Sequence, residues 1–75
     1  MTYKPVIMTT HHRDEEKSWT ERYRFPNRDE AIAEGRAMLD IHSDVRQFEV
    51  ESWELTEGKW EVFMTYRETA WRLPK

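Results

Sequence analysis

The chain has 75 residues, no cysteine, and a formal net charge of −3 from 12 basic and 15 acidic side chains. This length suits one domain (1–75), the lack of cysteine excludes disulfides and thiolate metal sites, and the acidic balance argues against a general phosphate-binding protein. No apolar run approaches the roughly 20 residues of a membrane span, and the start of the chain does not resemble a signal peptide. We therefore expect a cytoplasmic protein.

The first third of the chain is predicted to form a β-hairpin. Residues 3–10 (YKPVIMTT) are rich in β-branched side chains and too short for a helix, and Pro5 near their start indicates an edge strand. The polar residues 11–16 (HHRDEE) indicate a turn. In the following strand, aromatic residues recur at even spacing, which is typical of a strand with one buried face. These aromatic residues are Trp19, Tyr23 and Phe25.

The register of this first hairpin is left open by its loop. A shift of one residue moves every side chain of a strand to the opposite face. Either Val6 and Met8 or Tyr3 and Ile7 therefore join the aromatic residues of the second strand.

Residues 27–42 are predicted to form the helix of the domain. Asn27 is a good N-cap, and Glu30 three residues later completes a capping-box pattern. Gly35 lies at the centre of the apolar stripe, where glycine costs roughly 1 kcal/mol relative to alanine and so indicates a close approach of the helix to a sheet. His42 is expected to cap the C-terminal end through its imidazole. The stripe consists of Ala31, Ile32, Gly35, Met38, Leu39 and His42.

A second hairpin is predicted from residues 45–56 and 59–67, with Glu57 and Gly58 as a two-residue turn between them. The remaining residues form a C-terminal tail within 66–75. This tail has no periodicity, but Trp71 is expected to pack it onto the domain.

The turn sets the register of the second hairpin. Counting back from it pairs Leu55 with Trp60 and Trp53 with Val62. Without a further change, Phe48 and Val50 would point to the wrong face, so we predict a β-bulge near Glu51 and Ser52. With this bulge, Val50 opposes Met64 and Phe48 opposes Tyr66.

The predicted order of elements is ββαββ. Such a chain forms an α+β two-layer sandwich, with one helix packed on a four-stranded, mainly antiparallel sheet. The expected core is made of apolar residues from all of these elements except the first strand. They are Trp19, Tyr23, Phe25, Ala31, Ile32, Gly35, Met38, Leu39, Phe48, Val50, Val62, Met64 and Tyr66.

The sequence does not indicate a catalytic, cofactor or metal site. There is no glycine-rich phosphate loop and no nucleophile motif around any serine. His11 and His12 point to opposite faces of a strand, so only one of them could join His42 at a metal, and we interpret them as ordinary surface histidines. Pairs of carboxylates such as Glu49 and Glu51 are interpreted as a solvated strand face. We expect a protein that is not an enzyme and binds no cofactor or metal.

A single helix covers one face of the sheet, which leaves the other face free for a partner. Arg22, Arg24, Phe63 and Arg67 are predicted to lie there, and arginine and aromatic residues are enriched in the cores of interfaces. They are therefore the candidate partner-binding residues. The alternative is a solvated face with Phe63 as a single exposed apolar residue. The other residues predicted on this face are Thr20, Ser52, Glu54, Glu61 and Thr65.

The end of the second hairpin is a second candidate surface. Trp53, Leu55 and Trp60 are too many large apolar residues for one short helix to cover. Coverage by Trp71 of the tail is the interpretation that we favour over an exposed binding surface.

The layout of the whole chain resembles a group of small proteins. A hairpin, a capped helix entered through Phe25, Pro26 and Asn27, a second hairpin and a tail with Trp71 are similar to the single-domain proteins encoded by phages and mobile elements, including some anti-CRISPR inhibitors. The resemblance implies binding to a host defence complex, with its nucleic-acid site or its nuclease recruitment blocked. It lies in the order of elements and the size, without a diagnostic motif.

Three hypotheses for function follow. The first is a non-enzymatic protein-binding module, specifically a phage-type inhibitor of a host nucleoprotein complex such as a CRISPR effector. The second is a small nucleic-acid-binding domain that uses the same sheet face for base stacking, although the low isoelectric point argues against it. The third is a structural or regulatory homodimer formed by strand-edge pairing, so either a monomer or a homodimer is compatible with the sequence.

Overall fold

The structure is a computed structural model that describes residues 5–70, except for the side chain of Met64. It is an α+β fold in which one helix packs on one face of an antiparallel sheet with the strand order β2-β1-β3-β4. This agrees with the predicted ββαββ layout. The roles predicted for Tyr3 and Trp71 lie outside the described residues. The elements are β1 (Val6–Arg13), β2 (Ser18–Phe25), α1 (Arg28–Ile41), β3 (Val45–Thr56) and β4 (Lys59–Thr69).

Strand β1 lies in the centre of the sheet, so the predicted edge position is wrong. Pro5 comes before the strand begins, where its missing N–H removes no hydrogen bond of the ladder. Its carbonyl instead accepts a hydrogen bond of 3.0 Å from the N–H of Trp53. β1 is therefore paired along its length, with β2 on one side and β3 on the other.

The turn of the first hairpin is shorter than predicted and lies later in the chain. His11 and His12 belong to β1, and the turn is formed around Asp14. The Asp14 carboxylate accepts hydrogen bonds from the N–H groups of Glu16 (2.8 Å) and Lys17 (2.9 Å). These two hydrogen bonds hold the pKa of Asp14 below its usual value.

Helix α1 begins and ends as the sequence predicts. The Asn27 side chain accepts a hydrogen bond of 2.9 Å from the N–H of Glu30 and donates one of 3.1 Å to the Glu30 carboxylate. At the other end His42 is the C-cap residue, but the contact is made by its backbone N–H to the carbonyl of Met38 (2.9 Å). Within residues 5–70 there is no helix long and apolar enough to cross a membrane.

The core lies between α1 and the sheet, and β1 contributes to it more than predicted. Val6 opposes Phe25 and Met8 opposes Tyr23, which decides the register of the first hairpin in favour of the first alternative. Of the predicted core residues, Val62 is 44% exposed and lies on the opposite face. The buried apolar residues are Val6, Met8, Ala31, Leu39, Val45, Phe48 and Val50. The predicted core residues that are only half-buried are Trp19, Tyr23, Phe25, Ile32, Met38 and Tyr66.

The second hairpin turns at Glu57 and Gly58, which both have positive φ (51° and 81°), as a two-residue primed turn requires. The predicted pairs of Leu55 with Trp60 and of Trp53 with Val62 are confirmed. β4 continues to Thr69, so the first residues assigned to the tail belong to the sheet.

The bulge in this hairpin lies on β4, and the predicted position on β3 is wrong. Ser52 is paired with Met64 and Trp53 with Val62, so Phe63 is the extra residue. Val50 therefore opposes Tyr66, and Phe48 opposes Glu68. With the bulge on β4, the alternation along β3 is uninterrupted from Phe48 to Trp53.

A polar bridge joins α1 to the edge strand β4. The Arg36 guanidinium donates hydrogen bonds to the Glu68 carboxylate (3.1 Å) and to the Tyr66 hydroxyl (3.1 Å). The Tyr66 hydroxyl in turn donates to Glu68 (2.8 Å). These hydrogen bonds raise the pKa of Arg36, with that to Tyr66 as the largest cause. Since Arg36 is exposed, the bridge orients the helix more than it stabilises the fold.

Gly35 is the point at which helix and sheet come closest. A methyl group at this position would lie within 2.7 Å of three ring carbons of Phe48. Phe48 is fully buried, so its ring has little space in which to move away. The close approach predicted from the apolar stripe is confirmed.

We therefore expect Gly35→Ala to destabilise the protein. Alanine gains roughly 1 kcal/mol in helix propensity, but the added methyl overpacks the contact with Phe48 at a cost of about 1–3 kcal/mol. The steric cost should exceed the gain, and the denaturant midpoint should fall.

Ala33→Gly is the matched control, because Ala33 is exposed on the same helix and the change should cost only the propensity, about 1 kcal/mol. In the double variant Gly35→Ala/Phe48→Leu, the loss should be smaller than the sum of the two single losses, because leucine leaves space for the methyl. A rise in the midpoint of Gly35→Ala would contradict the close approach.

Candidate functional site

The face of the sheet opposite α1, called the open face here, is defined by the register of the strands. Alternation places Ile7 and Thr9 of β1 on this face, because Val6 and Met8 point toward the helix. Neighbouring strands contribute the side chains that stand beside them. Arg24, Ile7, Glu51 and Thr65 form one row across the sheet, and Arg22, Thr9, Glu49 and Arg67 form the next.

The four predicted partner-binding residues lie at two opposite edges of the sheet. Arg22 and Arg24 are on β2, whereas Phe63 and Arg67 are on β4. Two further strands separate these edges, which is a distance of about 14 Å in a flat sheet. The structure therefore brings Arg22 and Arg24 together but does not place Phe63 beside three arginines.

Two of these four residues have a local environment that the sequence did not indicate. The Arg67 guanidinium lies 3.3 Å from the Glu49 carboxylate, which also lies 3.7 Å from His11. Phe63 is the bulge residue and is 66% exposed. Of the other residues predicted on the open face, Thr20 and Thr65 lie there, whereas Ser52, Glu54 and Glu61 lie on the face that bears α1.

The end of the second hairpin projects beyond the rest of the sheet. The ladder between β1 and β3 ends where Val6 opposes Ser52. Residues 53–63, called the hairpin arm here, are paired with each other, and among residues 5–70 no further strand lies on the β1 side of this part of β3. The molecule is correspondingly elongated, with extents of 48 × 23 × 15 Å.

The hairpin arm concentrates exposed apolar side chains. Among the side chains that the structure describes, five large apolar ones are exposed, and four of them belong to the arm. Helix α1 lies over the body of the sheet and leaves them uncovered. They are Leu55 (47% exposed), Trp60 (48%), Val62 (44%) and Phe63 (66%).

An open groove of about 830 Å³ lies between the hairpin arm and β2. Trp53 and Trp60 line it on one side, and Arg22 and Arg24 line it on the other. Trp53 belongs to β3 and Trp60 to β4, so the groove extends from the arm past β1 to the edge strand β2. Ile7 and Glu51 also line the groove.

The two arginines of the groove are both exposed. Neither Arg22 nor Arg24 forms a hydrogen bond or an ion pair with the described part of the chain, and both are exposed. The groove thus combines exposed positive charge with aromatic surface. Trp53 and Trp60 belong to the second candidate surface predicted from the sequence, whereas Ile7 was missed because its position beside Arg24 depends on the strand order.

A polar cluster is buried on the other face, around His12. His12 donates a hydrogen bond of 3.0 Å from Nδ1 to the Asp44 carboxylate, and its Nε2 lies 2.7 Å from the Thr10 hydroxyl. Its ring is stacked on Trp19 at 5.0 Å. His12 is 6% exposed, so the interpretation as a surface histidine is wrong for this residue. Its alternation with Val6, Met8 and Thr10 is the signal that could have identified it.

The order aspartate, histidine, hydroxyl is that of a catalytic triad, but the burial of this cluster does not suit catalysis. Thr10 is 0% exposed, and its hydroxyl donates to the carbonyl of Glu21 (3.3 Å). A nucleophile must reach its substrate, which this hydroxyl does not. The cluster therefore ties the loop before β3 to the first hairpin.

Carboxylates at the rim of the cluster have perturbed acidity. The hydrogen bond from His12 lowers the pKa of Asp44. Glu21 accepts hydrogen bonds from the Tyr23 hydroxyl (2.5 Å) and the Trp19 indole (3.1 Å), and both lower the pKa of Glu21. The hydrogen bond between Tyr23 and Glu21 also raises the pKa of Tyr23. Among the described residues, no group of three or more histidine or acidic side chains is arranged to hold a metal ion.

Comparison with protein-family models, with curated proteins and with solved structures finds no match for this chain.

We expect Asp44→Asn to reduce stability at pH 7 and to do so less at low pH. The folded-state pKa of Asp44 is lowered, so its contribution is present above the unfolded-state pKa near 3.9 and is lost as the pH falls through the folded-state value. The difference in unfolding free energy between the wild type and the variant should shrink between pH 5 and pH 2, measured by urea denaturation.

Glu15→Gln is the control, because Glu15 is exposed in the β1–β2 turn and the change removes the same charge without removing a hydrogen bond. A wild-type advantage over Asp44→Asn that stays constant down to pH 2 would show that the hydrogen bond to His12 does not depend on the ionised carboxylate.

Proposed function

We propose that this protein is a non-enzymatic binding module that engages a protein partner through the hairpin arm. The observation that carries this proposal is the concentration of Leu55, Trp60, Val62 and Phe63 as exposed side chains on a projecting hairpin. Contiguous exposed apolar surface on a small domain is typical of an interaction site.

The apolar residues of the arm are not needed to complete the core. The core between α1 and the sheet is already closed around Phe48, Met8 and Val50, which are at most 1% exposed. Exposing aromatic surface carries a cost in solubility that a partner would offset. Tryptophan and phenylalanine are also the residue types that dominate the binding energy of interfaces.

The class of partner expected from the resemblance, a host nucleoprotein complex such as a CRISPR effector, stays a prediction. It is supported by the small size and the layout of the chain. The homodimer also stays a prediction, and β2 and β4 are the two edges at which it would form.

A nucleic-acid-binding domain is the second candidate, because two exposed arginines and two tryptophans line one groove. Stacking of bases on such aromatic side chains contributes roughly 1–3 kcal/mol per base. Glu49 and Glu51 on the same face oppose a phosphate backbone that crosses the sheet. Binding of a single-stranded oligonucleotide that weakens steeply with salt would favour this function over the first.

The arm hypothesis is tested with the double variant Trp60→Ser/Phe63→Ser. We expect proteins retained by the tagged wild type from bacterial lysates to be lost with this variant, and the affinity for the purified partner to fall more than tenfold. Because both side chains are exposed, stability should change by no more than about 0.5 kcal/mol each.

Ile41→Ser is the matched control, because Ile41 is 72% exposed on α1, away from the arm. This variant should retain the partner with unchanged affinity. Equal retention of the partner by the arm variant, or a loss that Ile41→Ser shares, would contradict a binding site on the arm.

A further inference from the structure

We propose that the free edge of β2 accepts an extended, acidic segment of the partner, which adds to the sheet as a further strand. This inference rests on the proposed function and deepens it by naming the class of partner segment. It is drawn from the unpaired edge of β2 and the charges of the open face.

The outer edge of β2 is available for pairing. Within residues 5–70, β2 pairs with β1 and with no other strand. Its outward N–H and C=O groups therefore offer a template for an incoming strand, as exposed strand edges do in many peptide complexes. Eight residues (Ser18–Phe25) are long enough to bind a segment of typical strand length.

Arg22 and Arg24 set the chemistry of the incoming strand. They occupy alternate positions of β2, about 7 Å apart, which is also the spacing of alternate side chains in any extended segment. Side chains that stand opposite each other on neighbouring strands lie about 5 Å apart. Two acidic residues at alternate positions would thus each meet one arginine.

The charges on the rest of the open face place such a segment at the edge. Glu49 and Glu51 of β3 lie in the same two rows as Arg22 and Arg24, with Thr9 and Ile7 between them. An acidic segment lying across the face would be repelled by these glutamates. At the outer edge of β2, the arginines stand between it and the negative charge.

The side chains on the opposite face of β2 indicate which residues the segment should carry between its acidic ones. Trp19, Tyr23 and Phe25 point to the side that bears α1 and are half-buried. An incoming strand with apolar residues between its acidic ones would extend this aromatic surface.

A second copy of this chain fits the same edge poorly. Antiparallel pairing of two β2 strands would bring the arginines of both copies close together on the open face. Like charges on neighbouring strands are unfavourable. The two arginines therefore disfavour pairing of β2 with a second β2 strand and favour pairing with an acidic strand.

The test is an NMR titration of the ¹⁵N-labelled full chain with a synthetic peptide, TEVEVFT, that carries acidic residues at alternate positions. We expect shifts at the β2 amides, with slower hydrogen exchange at the β2 amides that point away from β1. The peptide TKVKVFT should bind at least tenfold more weakly, and so should TEEVVFT, in which the alternation is lost.

The variant Arg22→Glu/Arg24→Glu should lose the acidic peptide and prefer TKVKVFT. The control Arg13→Glu/Arg46→Glu carries the same change of charge at exposed positions away from the groove and should behave as the wild type. Equal binding of the three peptides, or shifts confined to other elements, would overturn the inference. So would β2 shifts that depend on protein concentration alone, or displacement of TEVEVFT by oligo(dT).

Failure of this inference is distinguishable from failure of the proposed function. If Trp60→Ser/Phe63→Ser loses its protein partner while the peptides show no preference, the arm binds a partner of another class. If the arm variant keeps its partner while TEVEVFT binds selectively, the edge of β2 is a peptide site and the arm is not the contact surface.

Discussion

The contact between the Phe48 ring and the helix backbone at Gly35 sets the distance between the two layers of this protein. Gly35 adds no side chain of its own there, so the helix lies close to β1 and β3 and the residues around it form a dense core. The Phe48 ring also lies 6.0 Å from that of Tyr66, which bonds to Arg36. The contact between Gly35 and Phe48 fixes the distance of the helix from the sheet. The hydrogen bonds from Arg36 to Tyr66 and Glu68 of β4 fix the orientation of the helix on the sheet.

The bulge at Phe63 decides which surface the protein presents. An extra residue on β3 would have kept Trp53 and Val62 on the helix side, whereas the extra residue on β4 turns both of them to the open face. The charged residues Glu54 and Glu61 take the opposite side. A shift of the strand register by one residue thus exchanges the apolar and polar faces of the whole hairpin arm. It also places Trp53 and Trp60 at the groove.

Much of the fold was predictable because its signals are local. The cap at Asn27, the turn at Glu57 and Gly58, and the packing role of Gly35 each follow from a few neighbouring residues. The strand order and the strand that carries the bulge depend on contacts between distant segments. β1 was assigned to an edge of the sheet because of Pro5. Its buried face was not recognised because Thr10 and His12 on that face are polar. Arg22 and Arg24 were identified as candidates, but identifying the other residues that line the groove with them requires knowledge of the strand order.

The central position of β1 also has a consequence for how the protein folds. Each hairpin and the helix are built from neighbouring residues, so they can form early and independently. The ladder between β1 and β3 joins segments with all of β2 and α1 between them, and closing so long a loop carries most of the entropic cost. The rate of folding should therefore depend on how readily α1 holds the two hairpins side by side. The arm, which lies outside that ladder, can vary in sequence without slowing this step.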